Sequence, residues 1–129
     1  MQQNNQNSDD EIVAQHTKKF QKELSSGLVS LALLCILKQA KSALYGYEIA
    51  KKLQQQSDEH FGAIYPVLRN LHSRQLIDCD VKTSESGPPR KYFTITPLGD
   101  KVLTQWLSSW HTTQNQINDI INGRLTNDE

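Results

Sequence analysis

The chain has 129 residues and carries 14 Lys and Arg residues against 14 Asp and Glu residues, so its formal net charge is zero. This length accommodates one domain with one hydrophobic core. Its longest apolar run, residues 28–37, is interrupted by Ser30 and is much shorter than the roughly 20 residues that span a bilayer. Because the first residues are polar and carry no secretory signal, we expect a cytoplasmic protein with no membrane partner.

The charge is distributed unevenly along the chain. Residues 38–101 hold ten Lys and Arg residues against seven Asp and Glu residues, whereas residues 1–37 and 102–129 are each slightly acidic. The middle of the chain is therefore where an anionic partner is expected to bind.

The N-terminal third is predicted to hold a polar tract and then helix. Residues 1–9 are rich in Gln and Asn and are predicted to be disordered. Asp9 and Asp10 favour a helix start near Glu11. That helix has a stripe at helical spacing, formed by Ile12, Val13, His16, Phe20 and Leu24. Residues 25–27 are compatible with a break or with a bend. Residues 28–40, apolar almost all round, predict a buried central helix.

Two shorter helices are expected next. Residues 43–45 are predicted to form a short extended segment. A second helix is predicted to begin at Gly46 and to end in a turn over residues 54–60. A third helix opens near Phe61, and its core face carries Ile64, Val67, Leu68 and Leu71. The residues left for its outer face are Tyr65, Pro66, Arg69, Asn70 and Ser73.

A two-stranded hairpin follows the third helix. Residues 77–83 alternate between apolar and polar, as in a half-buried strand whose inner residues are Ile77, Cys79, Val81 and Thr83. Residues 84–89 favour a turn, and residues 91–96 return as the partner strand with Phe93 and Ile95 on one face. A helix followed directly by a basic hairpin is typical of a winged helix-turn-helix, in which the helix enters the DNA major groove.

The last element is predicted to be one long helix. Thr96 suits the N-cap and Pro97 the first helical position. From residue 98 to 122 a seam with three- and four-residue spacing is formed by Leu103, Trp106, Trp110, Thr113, Ile117 and Ile120. Because one short chain cannot cover all of that seam, we expect a homodimer. The expected organisation is therefore a disordered segment 1–9, a winged-helix domain 10–97 and a dimerisation helix 98–125.

The fold class that follows is mainly α. It is a winged helix-turn-helix with a small two- to three-stranded β wing, flanked by N- and C-terminal dimerisation helices. Double-stranded DNA is the expected partner, contacted by Tyr65, Pro66, Arg69, Asn70, Ser73, Arg90 and Lys91. The alternatives are that Arg69 and Asn70 form an ordinary solvated face, that Tyr65 packs at the helix start, and that Arg90 and Lys91 pair with Glu85.

Several sequence blocks, taken in order, resemble the PadR family of bacterial transcriptional regulators. The blocks are Lys22-Glu23-Leu24, residues 44–50 (LYGYEIA), residues 62–68 (GAIYPVL), Leu76-Ile77 and residues 90–99 (RKYFTITPLG). The resemblance covers residues 22–112. It implies a homodimer, built through the terminal helices, that represses nearby promoters, and it implies that a small aromatic or hydrophobic effector releases some members from DNA. The single C-terminal helix resembles the short subgroup, which includes multidrug-sensing members with a tryptophan on the last helix. Trp110, eleven residues after Gly99, occupies the equivalent place.

The chain departs from the family pattern at a few positions. His60 stands where a better helix cap is usual, Gln75 replaces a glycine, and Pro88-Pro89 replaces a more flexible wing tip. Trp106 and Trp110 are open to two interpretations, as dimer core or as a platform for a flat ligand. Leu103, Ile117 and Ile120 complete the predicted dimer or effector surface.

Catalytic and metal chemistry find no support in the sequence. The four histidines are dispersed, and neither a CxxC motif nor a clustered set of nucleophile, base and orienting residue occurs. We therefore expect no enzyme activity, no cofactor and no metal. Two other functions stay open: a winged helix used for protein–protein contact, and a drug-sequestering sensor without a primary role on DNA.

Overall fold

The computed structural model of the chain describes residues 2–56, 64–84 and 86–124 and contains four helices and three strands within them. The elements, in chain order, are α1 (Gln2–Gln39), β1 (Leu44–Tyr45), α2 (Gly46–Gln56), α3 (Ile64–Ser73), β2 (Ile77–Ser84), β3 (Gly87–Ile95) and α4 (Pro97–Ile121). The strands form an antiparallel sheet in the order β1-β3-β2. This architecture confirms the mainly helical winged helix-turn-helix predicted from the sequence.

Helix α1 is longer than the sequence predicted. It runs unbroken through 38 residues, about 57 Å at 1.5 Å per residue. The segment 2–9, predicted to be disordered, is helical, and residues 25–27 continue the helix without a break. Once a helix has been nucleated, each added residue gains a hydrogen bond, so a polar tract without proline can extend it. The further division at residue 97 between a domain and a dimerisation helix stays a prediction.

The core forms around the C-terminal half of α1, as its apolar sequence predicted. Leu33 and Leu34 are fully buried there, and the other helices and the sheet pack around them. The core residues are Val29, Leu33, Leu34, Leu37, Leu44, Ile49, Leu53, Ile64, Leu68, Leu71, Leu76, Ile77, Phe93 and Leu103. By length and composition alone, residues 6–39 of α1 also match a membrane-crossing helix, a test that the core helix of a globular domain passes as well.

The hairpin formed by β2 and β3 projects from the body as a wing. Its base is fixed because Ile77 and Phe93 are buried, and β1 pairs with β3 there through Leu44 and Phe93. The predicted inward alternation ends early, since Val81 and Thr83 are exposed. The expectation that β2 is half-buried along its whole length is wrong, because the domain covers only its first residues and the strand then continues into solvent.

The end of α3 is joined to the start of α4. The Gln75 N–H donates to the His72 carbonyl at 2.9 Å and the Leu76 N–H to the Leu71 carbonyl at 3.0 Å, which is the Schellman pattern of a helix C-terminus. Gln75 has φ 64°, the left-handed conformation that this pattern requires. Its carbonyl then accepts a 2.8 Å hydrogen bond from the Thr96 hydroxyl.

Thr96 is the N-cap of α4, as predicted. Its hydroxyl oxygen accepts a 2.9 Å hydrogen bond from the Gly99 N–H, and Pro97 occupies the first helical position. Gly99 lies so close to the backbone of Leu76 that any Cβ there would overlap the Leu76 carbonyl oxygen. The last residue of the α3 cap and the first turn of α4 therefore form one joint that fixes α3 relative to α4.

Candidate nucleic-acid interface

Helix α3 separates an apolar face from a polar one. Ile64, Leu68 and Leu71 are buried, and Val67 is half-buried, because residues at spacing three and four lie on one side of a helix. The five residues predicted for DNA contact are all exposed on the other side: Tyr65, Pro66, Arg69, Asn70 and Ser73. His72, which the sequence interpretation did not single out, is exposed beside them.

Tyr65 packs across the start of α2. Its side chain is 53% exposed, and its phenol end lies directly over Gly46, where any Cβ would overlap the ring. Gly46 is buried at the first position of α2, so the glycine provides the space that Tyr65 fills. The sequence left two interpretations of Tyr65 open, contact with DNA and packing at the start of the helix. They are compatible, because the ring packs on α2 while part of it faces solvent.

Two of the predicted contact residues take part in local hydrogen bonds. The Ser73 hydroxyl donates to the Asn70 carbonyl at 2.9 Å, and Arg74 donates to the Asn70 side-chain oxygen at 3.4 Å. The Asn70 amide nitrogen is thereby left as the donor for an outside partner. Within the part of the chain that the structure describes, Arg69 forms neither an ion pair nor a hydrogen bond through its side chain, so its guanidinium is available to a ligand.

On the wing, Arg90 of β3 lies over the ring of Tyr45, which contacts the ring of Tyr92. The Arg90 guanidinium carbon lies 4.6 Å from the centre of the Tyr45 ring, and the Lys82 ammonium lies 5.0 Å from the Tyr92 ring. Tyr45 and Tyr92 meet edge to face at 5.6 Å. Such cation–π contacts orient a cation without neutralising it. The sequence interpretation missed Tyr45, Tyr92 and Lys82, although their pairing with Arg90 follows once the strand register is known.

Arg90 and Lys91 do not share a face of the wing. Arg90 is opposite Lys82 in the register and Lys91 is opposite Val81, and consecutive residues of a strand point to opposite sides. Arg90 is thus on the side of Tyr45, which immediately precedes Gly46 and so adjoins the Tyr65 contact. Lys91 is on the side that carries Phe93 into the core. The predicted alternative of pairing with Glu85 involves a residue outside the described ranges.

The interface is positive despite the neutral chain. Arg69, Arg74, Lys82, Arg90 and Lys91 are exposed on α3, just after it and on the wing, and none of them forms an ion pair with a described residue. The carboxylates of the described wing residues are Asp78 and Asp80 of β2, which are both exposed. Glu48 is occupied locally, since its carboxylate accepts the Tyr45 N–H at 3.0 Å at the start of α2.

The tryptophans of α4 line an open cavity against α1. Its volume is about 350 Å³, and the α4 side of its wall is formed by Trp106, Ser109, Trp110 and Thr113. The α1 side consists mostly of small residues, with Ser26, Gly27 and Ser30 beside Leu28 and Leu31. Both indoles are half-buried. A single chain thus already brings Trp110 beside an apolar space large enough for a small molecule.

The side chains of the α4 seam become more exposed toward the C-terminal end of the helix. Leu103 is buried and Trp106 is half-buried, whereas Thr113, Ile117 and Ile120 are exposed. An ion pair of 2.9 Å between Lys38 and Asp100 joins the end of α1 to the start of α4. The two helices therefore run antiparallel, with the C-terminal half of α4 extending past the domain.

Side chains that could act as metal ligands are dispersed in the described part of the chain. No group of three or more His, Cys, Asp or Glu side chains gathers among the residues described. Both cysteines of the chain are free thiols, Cys35 and Cys79, each half-buried. Burial raises the pKa of the Cys35 thiol because the thiolate is less well solvated there.

These elements define a winged helix-turn-helix protein with a cationic surface on α3 and the wing. The sequence profile described as the PadR-like family of transcriptional regulators matches residues 33–105. A PadR-like transcriptional regulator from Bacillus cereus is 31% identical and superposes with a TM-score of 0.64, covering 77% of this chain and 96% of that one. A PadR family transcriptional regulator from Eggerthella lenta is 26% identical with a TM-score of 0.67, covering 87% and 94%.

A third similar structure is a PadR family transcription regulator from Clostridium difficile, 28% identical with a TM-score of 0.63 over 73% of this chain and 98% of that one. The chain belongs to the PadR-like family of transcriptional regulators. The resemblance drawn from the sequence blocks is thereby confirmed.

Proposed function

We propose that the protein is a cytoplasmic, homodimeric repressor, without enzyme activity, that binds a two-fold-symmetric DNA operator. The observation that carries the proposal is the exposed face of α3, where Arg69 has no partner among the described residues and which a cationic wing follows in the chain. Arg and Asn are the side chains that pair with guanine and adenine edges in the major groove. One α3 per chain and a two-fold axis would place half-sites about one turn, on the order of 34 Å, apart.

The roles within this interface are divided by position. Arg69 and Asn70 would read base edges, and Tyr65, Pro66 and Ser73 would set the approach of α3 to the groove. Arg90 would contact a phosphate from the side of the wing that adjoins Tyr65, held there by the Tyr45 ring. Lys91 would reach a phosphate from the other side of the wing.

The test is DNA binding by single variants on two duplexes. A footprint upstream of the protein's own gene would first define the operator. We expect Arg69→Ala to weaken binding to that operator by about 1–3 kcal/mol and to weaken binding to a random duplex much less. Lys91→Ala should weaken both alike and lower the salt dependence by about one counterion, as expected for a phosphate contact.

A surface variant on α1 serves as the control for these measurements. Lys18→Ala removes an exposed lysine of α1, away from α3 and the wing, and should leave both affinities unchanged. Equal losses for Arg69→Ala on the two duplexes would assign Arg69 to the DNA backbone. An absence of salt-sensitive binding to any duplex would instead favour the protein–protein contact function.

We also propose that the cavity beside Trp110 admits a flat hydrophobic effector. Its support is the open space between two half-buried indoles and the small residues Ser26, Gly27 and Ser30 of α1. In a dimer, a ligand inserted here would change the position of α4, and the joint at Gly99 would carry that change to α3. A ligand that binds one arrangement of the helices better than the other shifts the population toward it.

Trp110→Ala separates a ligand platform from a packing role. If the ring stacks on a ligand, the variant stays dimeric and binds DNA, but it loses about 1 kcal/mol or more of affinity for a flat aromatic dye, measured by fluorescence titration. Ser108→Ala, at an exposed position of the same helix, is the control and should leave dye affinity unchanged. Dissociation of Trp110→Ala into monomers would show that the indole is structural. Dye binding without any DNA binding would favour the drug-sequestering function.

A further inference from the structure

The wing has a free edge, which is formed by β2. The strand order β1-β3-β2 places β3 between the other two strands, so β2 pairs on one side only within the described part of the chain. An edge strand presents unpaired backbone N–H and C=O groups, on which a further strand can pair. Val81 lies near the middle of β2 and is 57% exposed, so an apolar side chain marks the centre of this edge.

The hydrogen bonds of the hairpin determine which residues of β2 point outward. The Thr96 N–H donates to the Leu76 carbonyl at 3.1 Å, and these two residues directly precede the first pair of β2 and β3 in the register. Bonded and non-bonded pairs alternate along an antiparallel ladder. The backbone N–H and C=O groups of Cys79, Val81 and Thr83 therefore point away from β3, toward the free edge.

The edge is regular along its length. Proline, bulges and charged side chains are the usual features that keep other strands away from an edge. The eight residues of β2 include neither proline nor glycine. The register shift after Lys82 adds its extra residue to β3, where two prolines lie opposite the single residue Thr83. Of the three protections β2 therefore has only charge, which is carried by Asp78, Asp80 and Lys82.

We propose that β2 pairs antiparallel with β2 of a second copy of the chain, with Val81 opposite Val81 on a two-fold axis. In such an isologous contact the same strand supplies both the donors and the acceptors. Cys79 then lies opposite Thr83 of the second copy, so the three outward residues of each strand exchange about six backbone hydrogen bonds. The contact uses the edge of the wing and is separate from the helices expected to form the homodimer of the proposed function.

The charges of β2 select this register. With Val81 on the axis, Asp80 of each strand faces Lys82 of the other, on the face of the wing that carries Tyr92. These are non-bonded pairs, in which side chains approach most closely, and opposite charges there stabilise the pairing. Moving the axis by one pair in either direction would set Asp80 against Asp80 or Lys82 against Lys82. Like charges directly opposite each other destabilise a strand pair.

Disulfide trapping of Val81→Cys tests the contact in the full-length chain without DNA. One variant is sufficient because the position faces itself across the axis, where a bonded pair has Cα atoms about 5.5 Å apart, a separation that suits a disulfide. We expect the linked two-chain product to form on the order of tenfold faster than in oxidised wild type, which gives the background of Cys35 and Cys79. Thr94→Cys, at an exposed position of β3, is the control and should stay at that background.

Charge reversal in the Val81→Cys background tests the register. Asp80→Lys and Lys82→Asp each set two like-charged pairs across the axis, so each should slow the linkage on the order of tenfold. When the two reversed chains carry different tags and are mixed, every Lys faces an Asp again. We expect the product that contains both tags to form as fast as with Val81→Cys alone. The three side chains are exposed, so these substitutions leave the fold intact.

Contrary results overturn the proposal in different ways. Val81→Cys that links no faster than wild type would show that no second copy covers the edge. If a DNA duplex then protected the Val81→Cys thiol from a soluble reagent, DNA would be its occupant. Linkage that is insensitive to both charge reversals would refute the register. A mixture of the reversed chains that does not recover would refute the pairing of Asp80 with Lys82.

Duplex titration of the same preparations separates this inference from the proposed function. Unlinked Val81→Cys that binds a duplex with salt-sensitive affinity refutes the β2 contact alone. A chain that is linked and responds to both charge reversals as expected, but binds no duplex before or after reduction, refutes the repressor function alone. A chain that neither links nor binds refutes both.

Discussion

At the scale of single residues, Gln75 shows how the fold imposes a conformation on the residue the sequence supplies. This chain has glutamine where the family pattern has glycine, at the link between α3 and β2. The structure closes the link with a complete Schellman motif and places Gln75 at φ 64°. A side chain in this region meets its own backbone, which glycine avoids.

We therefore expect Gln75→Gly to stabilise the protein by about 0.5–1 kcal/mol in urea unfolding. The expected stabilisation is a difference of two terms. Glycine relieves the strain of the left-handed conformation in the folded state, but it also has more conformational entropy in the unfolded chain. Gln105→Gly is the matched control, because Gln105 is exposed in the middle of α4, and it should destabilise by a similar amount. Destabilisation by both substitutions would mean that Gln75 is not strained in solution.

At the scale of elements, the wing depends on β1 as well as on its own two strands. Leu44 and Tyr45 pair with β3, and Tyr45 is the residue on which Arg90 lies. Since Tyr45 also precedes α2, the position of Arg90 is set by the strand that begins the helix-turn-helix. The wing and the helix-turn-helix are therefore joined through Tyr45.

Replacing the Tyr45 ring should weaken DNA binding through Arg90. We expect Tyr45→Leu to lower duplex affinity by about 0.5–1 kcal/mol, whereas Tyr45→Phe keeps the ring and should retain most of that affinity. In an Arg90→Ala background the effect of Tyr45→Leu should disappear, which a double-mutant cycle by fluorescence anisotropy would measure. Persistence of the full loss in that background would show that Tyr45 acts independently of Arg90.

At the scale of the whole molecule, the joint between α3 and α4 connects the predicted DNA surface to the predicted dimer and effector surface. Thr96 bonds to Gln75 on one side and to Gly99 on the other, and Gly99 lies against the Leu76 backbone. A movement of α4 would thus reach α3 through backbone contacts, which have less freedom to adjust than side chains.

Gly99→Ala should destabilise the whole domain by about 1–3 kcal/mol or more, because its methyl group meets a backbone oxygen that is itself fixed by the Thr96 N–H at 3.1 Å. Gly27→Ala is the control, since a Cβ at Gly27 meets nothing and alanine favours a helix by about 0.5–1 kcal/mol. Thermal unfolding of the two variants should therefore shift in opposite directions. A neutral Gly99→Ala would show that α3 and α4 are not in close contact in solution.

The sequence by itself determined the elements whose pattern is local. Helical spacing identified the core face of α3, Thr96 and Pro97 marked the start of α4, and the apolar residues 28–40 identified the buried helix, because caps and periodicity act over a few neighbouring residues. The order of the sequence blocks also identified the family. The DNA-contact, dimer and effector residues remain predictions that the experiments above test.

Only the tertiary structure decided features that depend on distant residues. The side of the wing on which Arg90 lies follows from its pairing with Lys82, and its contact with Tyr45 joins residues 45 positions apart in the chain. The exposure of Val81 depends on where the domain ends beneath the hairpin. Such features arise from packing between elements, which a local pattern does not contain.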